Sequence, residues 1–274
     1  QRHDSAHKHV SGTAEYIDDI VEPEGALHAY LGLSTCAHGE ILAMDLDAVR
    51  AAPGVVGVLT AADIPGENDI SPNHKHDEPI FPETLVRFYG QPIFAVVATT
   101  REAARRATRL AKVEYAELPF IPDVAAAQAA GGAVVTEGMT LERGDVDAGF
   151  AKAANVLDGT MVIGGQDHFY LESQIAMAIP GEDDEVTVHS STQHPSEIQH
   201  MAATALGVPS HAVNVVVRRM GGGFGGKETQ GNIFACVAAI AAKRFGRAVK
   251  IRPDRDDDMI ATGKRHDFVV GYKV

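Results

Sequence analysis

Five glycines fall among the six residues 221–226, within Met220-Gly221-Gly222-Gly223-Phe224-Gly225-Gly226-Lys227-Glu228. No other stretch restricts this chain as much. Residues 213–218 read as a strand leading into the run, and residues 231–245 as an Ala-rich helix closed by Gly246. Strand, glycine run and helix together have the geometry of an anion cradle. Backbone N–H groups converge there, and a helix N-terminus adds the positive end of its dipole.

Two nucleotide motifs match in part. Gly221, Gly223 and Gly226 satisfy G-x-G-x-x-G, and Asp254 after the next strand could serve as the ribose-binding acid of a dehydrogenase. Gly221, Gly226 and Lys227 also satisfy most of a P-loop. That motif needs Ser or Thr at position 228 to bind magnesium, and Glu228 would instead repel the terminal phosphates. Glu228 has two readings of its own. An acid near a helix start complements the macrodipole; a carboxylate beside an anion cradle could also orient a substrate. Spacing does not choose between them.

Lys and Arg number 24 against 37 Asp and Glu, a net charge of −13 that would repel a nucleic-acid backbone. No apolar run approaches the ~20 residues that span a bilayer. The two cysteines, Cys36 and Cys236, are too few for a cysteine-ligated cluster or a Cys-rich zinc site and read as reduced cytoplasmic thiols. His3, His7, His9, His74 and His76 sit in polar segments and read as solvated surface, with no direct metal site. The chain starts without Met and stops in what reads as mid-strand, as a fragment would.

Strands are predicted near residues 29–33, 40–45, 55–59, 92–98 and 113–115, the one at 55–59 buried, with a short helix at 47–52. An amphipathic helix is predicted over 101–112, turning Ala103, Ala107, Leu110 and Ala111 inward. Residues 116–145 bring Pro119, Pro122, an Ala-rich stretch and Gly131-Gly132, a connecting composition. Beyond it come a short helix over 147–154 and strands near 156–162, 175–179, 186–190 and 249–252. A helix over 195–206 has Pro at its first turn and Gly207 closing it. The expected division is 1–122, a linker 123–143, and 144–274.

Three stretches carry a family resemblance: Gly164-Gly165-Gln166-Asp167-His168-Phe169-Tyr170-Leu171-Glu172, Ser191-Thr192-Gln193-His194-Pro195, and the glycine run through Thr229. With His38-Gly39-Glu40-Ile41, Asp63-Ile64-Pro65-Gly66, Gly90-Gln91-Pro92 and Thr262-Gly263-Lys264-Arg265-His266, nearly the whole chain resembles the xanthine dehydrogenase and aldehyde oxidase family of molybdenum hydroxylases. The resemblance implies an α+β fold: an α/β hammerhead domain over 1–122, then the first part of a molybdopterin-binding domain over 144–274.

By the same resemblance, Gln166 would hydrogen-bond an oxygen ligand of molybdenum, and Phe224 and Gly225 would offer backbone N–H groups to the cofactor. Glu228 would be the catalytic and substrate-binding acid. Purine-oxidising members carry an acid there and aldehyde oxidases usually an apolar residue, so a purine is favoured over an aldehyde. The implied reaction hydroxylates hypoxanthine or xanthine with oxygen from water. Electrons then leave through 2Fe-2S clusters and FAD to NAD, on a partner subunit or another segment of a cytoplasmic hetero-oligomer. The family's general base, its substrate arginine and most pterin contacts would lie beyond Val274, leaving the fragment alone inactive. A nucleotide-binding dehydrogenase and a non-catalytic assembly module are the other classes.

Overall fold

The computed structural model describes residues 3–73, 75–132 and 138–274, so His74 and part of the connecting segment lie outside it. Twelve strands are present among the described residues. They are β1 (Leu27–Leu33), β2 (Gly39–Asp45), β3 (Val55–Leu59), β4 (Leu85–Val86), β5 (Pro92–Ala98), β6 (Lys112–Glu117), β7 (Asp158–Ile163), β8 (Ala176–Pro180), β9 (Val186–Ser190), β10 (Val213–Val216), β11 (Val249–Ile251) and β12 (Phe268–Lys273). The helices are α1 (Ala6–Ser11), α2 (Asp47–Arg50), α3 (Arg101–Thr108), α4 (Val124–Ala129), α5 (Val146–Lys152), α6 (Pro195–Leu206), α7 (Asn232–Phe245) and α8 (Arg255–Ala261).

The chain divides into two compact units that are not consecutive in sequence. The larger joins Gln1–Pro119 to His168–Gly263, and the smaller joins Phe120–Asp167 to Lys264–Val274. The larger is built on a seven-stranded mixed sheet in the order β10-β9-β8-β11-β1-β5-β3. Its seam is the parallel pairing of β1 with β11, Leu27 against Val249 and Ala29 against Ile251. Strands 222 positions apart thus share one ladder, so the early and late parts of the chain form one sheet.

Each face of that sheet covers a separate core. Along β5, Ala95 and Val97 point into a cluster roofed by α6 and α7, while Phe94, Val96 and Ala98 point into a second with Val49, Ala104 and Ala107. Burial on both faces explains why β5 reads as an unbroken apolar run. A three-stranded sheet, β4-β2-β6, completes this unit. In the smaller unit β7 and β12 pair as an antiparallel ribbon, Phe268 against Ile163 through Lys273 against Asp158.

Three expectations need correction. Helix α3 ends at Thr108, whose hydroxyl donates to Arg105 O, and Lys112 already opens β6; Leu110 is therefore exposed and Ala104 is buried instead. Strand β3, expected buried, is buried only at Val58 and Leu59. Helix α7 starts at Asn232, so the glycine run and Glu228 precede it by a turn and no acid stands in its first turn. The macrodipole reading of Glu228 loses its basis.

Candidate active site

The glycine run is a loop between β10 and α7, held from beneath by buried polar groups. Glu172 lies under its first residue: Gly221 N–H donates to Glu172 Oε2 at 2.7 Å and Glu172 N–H to Gly221 O at 3.2 Å. A Cβ on Gly221 would come within 2.4 Å of Glu172 Cβ, so only glycine allows this approach. At the far end Lys227, fully buried, donates through Nζ to Glu172 O at 2.7 Å and Ser191 Oγ at 2.8 Å. Its Nζ is 3.4 Å from Glu172 Oε2 and 4.6 Å from the Tyr170 ring centre. Burial pulls the ammonium below its ordinary value, while the facing Glu172 carboxylate opposes the shift. Gln174 Nε2 donates to Gly226 O at 2.9 Å, and Gln174 N–H and the Tyr170 hydroxyl both donate to buried Asp258 at 2.8 Å.

Between these ends the backbone is irregular. Gly222, Phe224 and Gly225 have φ of 97°, 54° and 90°, and Phe224 pays the steric penalty that a side chain meets in this region. Phe224 as a whole is 75% exposed. Gly225 N–H donates to Gln193 Oε1 at 2.9 Å, and Lys227 N–H reaches the same oxygen at 3.2 Å. Phe224 N–H and Gln193 Nε2 have no acceptor among the described residues. Glu228 follows, exposed.

The loop therefore carries Phe224, Gly225 and Glu228 within five residues, with Gln193 bonded to its Gly225 and Lys227 N–H groups. Gln166 belongs to the smaller unit. There it forms a two-way backbone bridge with Arg265, each N–H donating to the other's carbonyl at 3.0 Å, and Arg265 also donates to Gly164 O at 2.6 Å. Both glutamines stand in the stretches that carried the resemblance. Reading along the sequence does not single out Gln193, because its partners lie 32 and 34 positions downstream. The one available signal was its place between buried Thr192 and a Pro-initiated helix. His168 packs on the loop, its ring 2.7 Å from where a Cβ on Gly226 would stand.

Neither nucleotide reading survives. Lys227 is turned inward onto Glu172 and cannot reach a phosphate above the loop. Asp254 accepts from Arg101 and Arg105 and is not open to a ribose. Cys36 and Cys236 are free and buried, and among the described residues no cluster of His, Cys, Asp and Glu could hold a metal ion. No helix among those residues is long and apolar enough to cross a membrane.

A family model for the molybdopterin cofactor-binding domain matches residues 128–274, and one for the aldehyde oxidase and xanthine dehydrogenase a/b hammerhead domain matches 11–119. The chain belongs to this family. It is 42% identical over 273 residues to the xanthine dehydrogenase/oxidase of Gallus gallus and 41% identical over 275 residues to the xanthine dehydrogenase of Oryza sativa subsp. japonica. Each alignment covers 99% of this chain and 20% of the relative, so the chain spans about a fifth of the length of these proteins. Among solved structures, aldehyde oxidoreductase from Desulfovibrio gigas superposes with a TM-score of 0.86 at 27% identity, covering 98% of this chain and 32% of that one. Quinoline 2-oxidoreductase from Pseudomonas putida 86 gives 0.81 at 26%, covering 95% and 35%. The fold is thus α+β, a hammerhead domain with part of a molybdopterin-binding domain.

The loop suits the oxygen-rich end of such a cofactor. Two donors without acceptors among the described residues, Phe224 N–H and Gln193 Nε2, belong to exposed residues of two loops that Gln193 Oε1 joins through its bonds to Gly225 and Lys227.

Proposed function

We propose that this chain forms one wall of the active site of a purine-oxidising molybdenum hydroxylase. Glu228 carries the reading: an exposed carboxylate with no partner from the loop's own network, four residues after Phe224 in the same loop. Its role is to hydrogen-bond the purine ring and to balance the charge that develops there during attack, an interaction stronger in the transition state than in the ground state. Phe224 offers its backbone N–H to the cofactor; the Gly225 N–H, expected to do the same, is engaged by Gln193 Oε1 and serves the cofactor only if that bond is exchanged. Gln166 takes the hydrogen bond to an oxygen ligand of molybdenum, and Gln193, fixed through Oε1 by two loop N–H groups, offers its Nε2 as a second amide donor.

A molybdenum-pterin cofactor would supply the two-electron oxidation of hypoxanthine or xanthine, with oxygen from water. Neither buried cysteine can hold an iron–sulfur cluster, so the 2Fe-2S centres and FAD that pass electrons to NAD belong to other segments or to a partner subunit. The intact assembly is cytoplasmic. The chain alone is inactive, and metal analysis of the isolated 274 residues should find molybdenum well below one atom per chain.

The reading is tested with the full-length, cofactor-loaded protein, comparing kcat/KM for xanthine and hypoxanthine with that for an aromatic aldehyde. Purines should be favoured by at least tenfold. Oxidation of the aldehyde alone would replace this reading with the aldehyde oxidase one.

A further inference from the structure

We propose that Glu172 and Lys227 act as a clasp: an ion pair of a buried ammonium and a part-buried carboxylate whose task is to position the glycine loop, and through it Glu228 and Gln193, for the reaction proposed above. The inference rests on that reading for its catalytic consequence, though not for its structural one.

The geometry points to this because one carboxylate meets both ends of the loop. Glu172 Oε2 accepts from Gly221 N–H at 2.7 Å and from the Ser191 hydroxyl at 2.6 Å, and it faces Lys227 Nζ. Lys227 Nζ closes the ring through Glu172 O and Ser191 Oγ. Residues 221 and 227 are thereby tied to a single side chain, and the irregular backbone of 222–225 is strung between them.

Stability alone does not account for such a pair. Burying two charges costs several kcal/mol each, and apolar replacements of similar volume are often as stable or more so. An apolar pair could fill the space under the loop, but it offers no acceptor to Gly221 N–H and no donor to Glu172 O. The pair instead specifies one conformation for a segment with five glycines, which has many others available. Glu172 and Lys227 are positioning residues: Lys227 is fully buried and only 13% of the Glu172 side chain is exposed, so they act through the loop.

The test uses the full-length holoenzyme with Glu172→Gln, Lys227→Met and Ser191→Ala, and with Val237→Ala in α7 as a control that lowers the melting temperature without touching the loop. Hydrogen exchange of residues 220–228 and steady-state kinetics are measured on each. Glu172→Gln and Lys227→Met should speed exchange in the loop at least tenfold, leave residues 232–245 protected, and lower kcat at least tenfold with KM changed less than twofold. Ser191→Ala, the mildest change, should speed loop exchange about threefold and remains informative if the other two do not fold. Val237→Ala should leave both loop exchange and kcat unchanged. Unchanged loop exchange in the clasp variants, or an equal loss of kcat in Val237→Ala, would overturn the proposal. An enzyme that does not turn over purines would refute the functional reading, and the exchange data would still decide the clasp.

Discussion

The glycine loop and helix α7 are neighbours in sequence and opposites in construction. Helix α7 is held by apolar burial: ten of its fourteen residues are buried, nine of them apolar, against the sheet and α6. Loop 221–228 has almost no apolar anchorage. Buried and part-buried polar groups shape it (Lys227, Gln174 and Asp258, with Glu172), and the one large apolar side chain it owns, Phe224, points outward. Packing energy is insensitive to small rearrangements of an exposed surface, whereas directional hydrogen bonds define where an N–H or a carboxylate stands. The helix therefore supplies stability and the loop supplies geometry. Substitutions in the two should separate melting temperature from turnover.

The largest effect on stability belongs to the helix side. Phe234, 1% exposed in the larger core, should cost about 3–5 kcal/mol on replacement by alanine, read from denaturant unfolding. An unchanged midpoint would mean that α7 is not the anchor described here. Asp254→Asn comes next, removing the carboxylate that ties Arg101 and Arg105 of α3 to the start of α8. The partly exposed ion pair should be worth about 1 kcal/mol. Burial pushes the Asp254 carboxyl up, but hydrogen bonds from Arg105 and Arg101 outweigh it and hold it below the ordinary 3.8. With the folded value below the unfolded one, this stabilisation is present above about pH 4 and is lost as pH falls through the folded value. The variant's acid unfolding should accordingly be shallower than that of the parent.

Smaller still in stability is Gly223→Ala. The added Cβ would stand 2.6 Å from Gln193 Oε1, the end of a flexible side chain that can swing away for less than about 1 kcal/mol. The displaced amide would release Gly225 N–H, so molybdenum retention or turnover in the full-length enzyme should fall about tenfold with little change in melting. Wild-type turnover in this variant would remove Gln193 from the site.

The same division decided what could be read from the sequence. Elements built on apolar pattern and end signals were legible: β5 as an unbroken apolar run, and α6 between Pro195 and Gly207. Helix α8 was not, because Arg255-Asp256-Asp257-Asp258 looks like a solvated acidic loop until Asp258 is seen buried, accepting from Tyr170 and Gln174. The β1–β11 ladder was invisible because short strands carry no record of a partner far along the chain. At the site, the glycine density announced the loop, and the family resemblance supplied roles for Phe224, Gly225 and Glu228. That Lys227 turns inward, and that Gln193 accepts from the loop's N–H groups, depends on long-range contacts that no local spacing encodes.

Glu228→Ala in the full-length enzyme tests the central claim most directly, because this side chain is exposed and takes no part in the loop's hydrogen bonds. Melting temperature, molybdenum content and kcat/KM for xanthine should be measured on the same preparation. Melting and metal content should be unchanged, with a loss of purine turnover on the order of 100-fold. Parental kcat/KM for xanthine in that variant would contradict the claim.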